Sequence, residues 1–250
     1  MIAFITGATA GIGKASAELF AEKGYSLIIT GRRKERLDEL SAYIKSTYKT
    51  DVISLNFDVR NFQEVKKAVN SLPSEWRKID VLLNNAGLAA GLDPIQEGLI
   101  DDWDQMIDTN VKGLLYVTRC IAPIMISNGY GHIINMGSIA GKEVYPNGNV
   151  YCASKYAVDG LNKSMRIDLL QHNIKVTAIN PGMVETEFAN VRFKGDAERV
   201  QNAYKGLKPL SAEDIAETIY WAASRPAHVN INDIVIMATA QANATMAFRK

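Results

Sequence analysis

The feature that most restricts this fold is an alternation. Short, almost wholly apolar runs at 2–6, 26–30, 52–57, 81–83, 132–136, 175–179 and 234–237 read as strands, separated by longer segments of helical period. Those segments, 14–23, 34–46, 62–71, 100–110, a stretch around 113–126, 150–171 and 211–223, read as helices, with Ser211 and Asp214 spaced as a helix start. A strand that is apolar throughout is buried on both faces, and helices of these lengths suit right-handed crossovers. The pattern therefore predicts one α/β domain over 1–250, a doubly wound parallel sheet of about seven strands flanked by helices. The stretch 187–210 departs from it. Arg192, Lys194, Gly195, Gly206 and Pro209 among isolated aromatics predict an irregular flap with a short helix, the character of an active-site lid.

Charge narrows the partners. With 28 Lys and Arg against 27 Asp and Glu, the formal charge is +1, too little to attract nucleic acid or an anionic membrane. No run of about 20 apolar residues is present, and residues 1–5 are too short and lack the basic flank of a signal peptide. Cys120 and Cys152 fall in different helices without metal-ligand spacing, which points to a reducing, cytoplasmic compartment. His132, His172 and His228 are scattered, so no metal site is expected. A small-molecule partner remains.

The first strand runs into Thr6-Gly7-Ala8-Thr9-Ala10-Gly11-Ile12-Gly13, with a helix opening at Lys14. Glycines let the chain turn tightly and let its backbone approach a pyrophosphate, whose charge the free amides of the helix N-terminus stabilise. Gly7, Thr9, Ala10, Gly11, Ile12 and Gly13 are thus candidate dinucleotide contacts; the alternative is a tight turn with no ligand. An acidic residue at the end of the second strand would hold a ribose 2′-hydroxyl. Here Arg32 and Arg33 follow Gly31 instead, which favours NADP over NAD, with Lys14 a further cation. Otherwise these arginines simply begin a solvated helix.

The segment Tyr151-Cys152-Ala153-Ser154-Lys155 starts a long predicted helix, and a spacing of four puts Tyr151 and Lys155 on one face. A nearby ammonium favours the phenolate, which would make Tyr151 a proton donor and acceptor near neutral pH. Ser138 ends a strand at the carboxyl edge, where ligands of open α/β sheets bind. Its hydroxyl can steady a carbonyl oxygen.

These segments resemble the short-chain dehydrogenases/reductases, over nearly the whole chain. The likeness rests on Thr6 to Gly13, Asn84-Asn85-Ala86-Gly87, Asn110, Ser138, the Tyr151/Lys155 pair and Pro181-Gly182. It implies a Rossmann-type fold and an NADP-dependent oxidoreductase acting on CH-OH groups. By resemblance Asn110 would hold a water of the proton relay and Ser138 would orient the substrate. Tyr151 would exchange the proton, and Lys155 would bind the nicotinamide ribose and tune Tyr151. Asp58 and Val59 would flank adenine, Asn85, Ala86 and Gly87 would line the groove with Pro181 and Gly182, and Val184 and Thr186 would meet carboxamide and phosphate. A homotetramer is implied as well.

A narrower resemblance lies in 30–37, 84–89, 190–196 and 225–230. It is to the branch of NADP-dependent 3-hydroxy acid dehydrogenases that oxidise serine or L-allo-threonine and reduce malonic semialdehyde. Such substrates carry a carboxylate. Arg192 is the candidate partner for it, unless Arg192 instead forms a surface salt bridge to Asp196 or Glu187; Tyr145 is a weaker pocket candidate. Two other activities remain compatible: reduction of 3-oxoacyl carrier-protein thioesters or other small ketones, and non-catalytic sensing of NADP. The tail 239–250 matches no pocket motif.

Overall fold

The computed structural model describes all residues 1–250. Seven strands, β1 (Ile2–Ile5), β2 (Ser26–Gly31), β3 (Val52–Asn56), β4 (Ile79–Asn84), β5 (Gly131–Met136), β6 (Ile174–Pro181) and β7 (Asp233–Ile236), form one parallel sheet in the order β3-β2-β1-β4-β5-β6-β7. Alternation along each strand divides its side chains between two cores. Ala3 and Ile5 of β1, with Leu27 and Ile29 of β2, face α1 (Gly11–Glu22), α2 (Lys34–Tyr48) and α9 (Ala212–Ala223). Phe4 and Ile28 point the other way, toward α3 (Phe62–Asn70), α5 (Leu114–Asn128) and α6 (Asn149–Asp168). Burial on both faces accounts for the unbroken apolar runs.

Local chemistry sets the helix ends. Asn61 accepts from the amides of Gln63 and Glu64 at the start of α3, and Ser211 with Asp214 closes the capping box of α9. Helix α1 begins at Gly11 rather than Lys14, so the last glycines of the turn belong to its first turn. The segment 100–110 is not one α-helix. Helix α4 (Ile100–Ile107) passes through a π-turn at Asp108–Gly113 directly into α5, a change of hydrogen-bond register invisible to apolar periodicity.

Between β6 and α9 the chain makes an excursion whose ends are tied by the bridge of Val184 to Leu210. It contains two short helices, α7 (Phe188–Arg192) and α8 (Ala197–Tyr204), rather than one. The tail, unpatterned in sequence, folds back on this excursion: Lys250 N donates to Gly206 O at 2.9 Å and Arg249 reaches the carbonyls of Lys205 and Ala203. No helix is long and apolar enough to cross a membrane. The strand order reverses between β1 and β4, and at such a switch point the loops leaving the carboxyl ends separate into a crevice.

Candidate active site

The crevice is a cleft of about 360 Å³ whose lining includes the glycine turn, Arg32 and Arg33, Ser138, Tyr151, Lys155 and the start of the excursion. Its floor is braced at β1 and β4. Thr6 Oγ1 accepts from the amides of Asn85 and Ala86, both at 2.9 Å, and Asn85 Nδ2 donates to Thr6 O at 2.9 Å and Gly7 O at 3.2 Å. Gly7 adopts φ +66°, and a Cβ there would stand 2.9 Å from Ala86 Cα. A Cβ on Gly13 would stand 2.4 Å from Asn85 Nδ2, so that glycine serves helix-to-strand packing. Thr9, Ala10, Gly11 and Ile12 face the cleft, with Thr186 against Gly11 on the opposite side.

At the end of β2 both arginines line the cleft, together with Asp58 and Val59 after β3. Arg33 Nε and Nη2 donate to Thr9 Oγ1 at 3.2 and 2.9 Å, while Arg33 Nη1 and Arg36 Nη1 reach Glu187 at 2.9 and 2.7 Å. Two positions differ from the sequence reading. Lys14 pairs with Glu18 at 3.7 Å and lines a neighbouring outer groove instead of the cleft. Glu187, read from sequence only as an alternative partner of Arg192, is instead held by Arg33 and Arg36; these two cations keep its carboxyl below the usual range. Burial raises the Asp58 carboxyl, but the Arg60 bonds and the Arg32 charge outweigh it and hold it low.

The candidate catalytic side chains converge from three elements. The π-turn directs Asn110 inward, where Oδ1 accepts from Leu88 N at 2.9 Å and Nδ2 donates to Leu88 O at 2.8 Å and Ser154 Oγ at 3.0 Å. Ser138 caps the short turn after β5, accepting from Ala140 N at 3.1 Å. Tyr151 and Lys155 lie one turn apart on α6, buried, with Lys155 Nζ 5.9 Å from the Tyr151 ring centre and donating to Met136 O at 2.8 Å.

The expected depression of the Tyr151 pKa does not hold. Burial pushes the phenol well above its ordinary value, aided by Tyr145, and the Ser138 hydroxyl and Arg192 guanidinium offset only part of this. Burial also lowers Lys155 to about 8, so the ammonium meant to stabilise a phenolate is itself costly to charge.

Arg192 and Tyr145, read from sequence as substrate residues, do not line the cleft itself: Arg192 reaches from α7 into a small adjoining pocket shared with Tyr151, its guanidinium carbon 5.6 Å from the Tyr151 ring centre and 5.3 Å from that of Tyr145. Neither alternative salt bridge forms: Glu187 is taken by Arg33 and Arg36, and Asp196 caps α8 through Arg199 N. The Nε and Nη2 atoms of Arg192 and the Tyr145 hydroxyl are buried without a well-formed hydrogen bond, although the guanidinium lies near enough to that hydroxyl to oppose the upward push of burial on it. Lys194 ties the excursion to α4 through Asp102 at 2.8 Å. Phe188, packed on Tyr151 at 5.7 Å between ring centres, was also missed by motif spacing, although its nearness to Thr186 was a usable signal.

The free-amide turn, the Cβ-free approach at Gly7 and Gly11, and arginines where a ribose phosphate would stand all suit a phosphorylated dinucleotide. Residues 1–197 match the family model described as short chain dehydrogenase. The chain belongs to the short-chain dehydrogenase family. Within it, this dehydrogenase is 46% identical over 251 residues, all of both chains, to the NADP-dependent 3-hydroxy acid dehydrogenase YdfG of Salmonella typhi. It is 45% identical to sulfoacetaldehyde reductase 2 of Chromohalobacter salexigens, over 96% of this chain and 95% of the other. Its fold superposes on the closed form of serine dehydrogenase complexed with NADP+ with a TM-score of 0.94 at 43% identity, covering all of both chains.

Proposed function

We propose that this dehydrogenase interconverts the alcohol and carbonyl of a small 3-hydroxy acid, such as serine, L-allo-threonine or 3-hydroxypropionate, using NADP. The observation that carries the reading is Arg192: a guanidinium with two buried, unpartnered nitrogens beside the Tyr151 ring is poised to take an anionic group. The relatives named for a 3-hydroxy acid and for sulfoacetaldehyde support it, since both compounds carry an anion near the reacting carbon.

The dinucleotide, when bound, supplies or accepts the hydride. Gly7, Thr9, Ala10, Gly11, Ile12, Pro181, Gly182, Val184 and Thr186 would seat its central part, with Gly13, which does not line the cleft, supporting the turn from behind, and Asn85, Ala86 and Gly87 would line its groove. Asp58 and Val59 would flank adenine, while Arg32 and Arg33 would receive the 2′-phosphate. Ser138 Oγ donates to the substrate oxygen and orients it. Tyr151 is protonated at neutral pH, the form that gives a proton to a carbonyl oxygen; in the reverse direction the phenol first releases its own proton to solvent, and its oxygen then takes the proton of the alcohol. The amide of Asn110 is committed to Leu88 and Ser154, so it positions α6 against the segment after β4.

The excursion 187–210 acts as a flap that sets Phe188 at the cleft and Arg192 beside the Tyr151 ring, with Tyr145 stacked on the guanidinium. The reading extends to a cytoplasmic homotetramer, supported by free Cys120 and Cys152 and by the exposed apolar side chains Leu115 and Ile126 of α5 and Tyr156 and Ile167 of α6.

Initial rates at 340 nm with NADP or NAD and each of the three acids, beside Tyr151→Phe, test the proposal. Turnover with NADP that disappears in the variant is the expected result. NADPH binding without turnover on any of these acids rejects the substrate assignment.

A further inference from the structure

Glu187 stands at a junction. It follows Thr186, whose side chain faces Gly11, and precedes Phe188, which packs on Tyr151. Its carboxylate spans two guanidinium groups, accepting from Arg33 Nη1 at 2.9 Å and from Arg36 Nη1 at 2.7 and 3.0 Å. Arg33 and Glu187 both line the dinucleotide cleft. The neighbouring cations are matched as well, Arg32 to Asp58 and Lys14 to Glu18, each at 3.7 Å.

We propose that Glu187 is an internal stand-in for the 2′-phosphate of NADP: its carboxylate holds Arg33 and Arg36 and yields them to the phosphate, so that this end of the cofactor sets the position of α7. The inference rests on the NADP reading above. Charge balance favours the exchange. Arg33, Arg36 and Glu187 sum to one positive charge; a phosphate of charge about −2 would leave the cluster negative with Glu187 in place and neutral once it withdraws.

Geometry agrees. Arg33 gives Nε and one N–H of Nη2 to Thr9; the second N–H of Nη2 and Nη1 form its other fork edge, and Glu187 occupies the Nη1 side of it, so release by Glu187 clears that edge for a bidentate phosphate. Release is cheap, because the carboxylate is half exposed and its ion pairs are screened. Helix α7 begins at the next residue and carries Arg192 at its end, so a shift of Glu187 is passed to the substrate side of the cleft. NAD, lacking the phosphate, leaves the carboxylate where it stands.

The test is a titration of wild type and Glu187→Gln with NADPH and NADH, read by nicotinamide fluorescence at low ionic strength. With the competing carboxylate removed, NADPH binds about three- to ten-fold tighter and NADH affinity moves less than about two-fold. In wild type, NADPH but not NADH changes the rate of tryptic cleavage at Lys194 and Arg199. Equal weakening of both nucleotides in Glu187→Gln would identify the residue as a clamp on any dinucleotide and overturn the exchange. A wild-type preference for NADPH that the substitution leaves unchanged overturns the exchange and spares the cofactor reading. Absence of a preference in both proteins overturns both.

Discussion

Replacing Arg192 with methionine keeps the length of the stem over Tyr145 and Tyr151 and deletes only the charged fork. Two of its three guanidinium nitrogens are buried without a well-formed bond to the protein, so the substitution breaks no strong one and takes from the Tyr145 hydroxyl only a nearby cation. On the proposed function, what it removes is the counter-charge of the substrate carboxylate. A hydrogen bond to a charged group contributes about 1.5–3 kcal/mol, and truncating one member of a desolvated charge pair costs about 2–5 kcal/mol. Taking about 3 kcal/mol, kcat/KM for 3-hydroxypropionate falls by about two orders of magnitude. The methyl ester of the same acid has no carboxylate to lose and changes little. Steady-state kinetics on the two compounds measure the difference, with urea unfolding as the control. Because a buried, unpartnered charge is removed, the unfolding midpoint stays level or rises. Equal losses on acid and ester, or a fall in stability of comparable size, would refute the assignment.

Two further outcomes come from burial. Lys155 has its pKa lowered to about 8 from 10.5, so between these values the unfolded chain binds more protons than the folded one, and stability rises with pH. Relative to Lys155→Met, wild type gains about 2–3 kcal/mol between pH 7 and pH 10, measured by urea unfolding; parallel curves for the two proteins would contradict this. Gly13→Ala places a Cβ 2.4 Å from both Asn85 Nδ2 and Gly7 O, an overpacking that costs about 1–3 kcal/mol and lowers Tm by about 3–10 °C in calorimetry. An unchanged Tm would show that the glycine turn has slack the packing does not reveal.

Where the sequence carried a period or a spacing, it was informative. The seven strands were legible because burial on two faces demands apolar residues throughout, and the Tyr151/Lys155 pair because four residues make one helical turn. The π-turn that directs Asn110 inward has no such signature, since it alters hydrogen-bond register and leaves the apolar pattern intact. Nor did the tail: its partners, Gly206, Lys205 and Ala203, are some 44 positions away and are reached through backbone carbonyls that no side chain advertises.

Electrostatics divided the same way. Composition and motif order pointed by themselves to the α/β class, the glycine turn and Ser138, Tyr151 and Lys155 as candidate site residues. Only the folded chain decided their protonation and their partners. Spacing gave Lys155 as a neighbour that would ease Tyr151 toward phenolate, yet desolvation acts through the three-dimensional surroundings and raised the phenol instead. Likewise Glu187 and Arg33, 154 residues apart, and Arg192, left without an anion of its own, acquired these relations when the excursion after β6 folded across the sheet edge. Charge acts over ångströms in space, and a linear sequence records only its order.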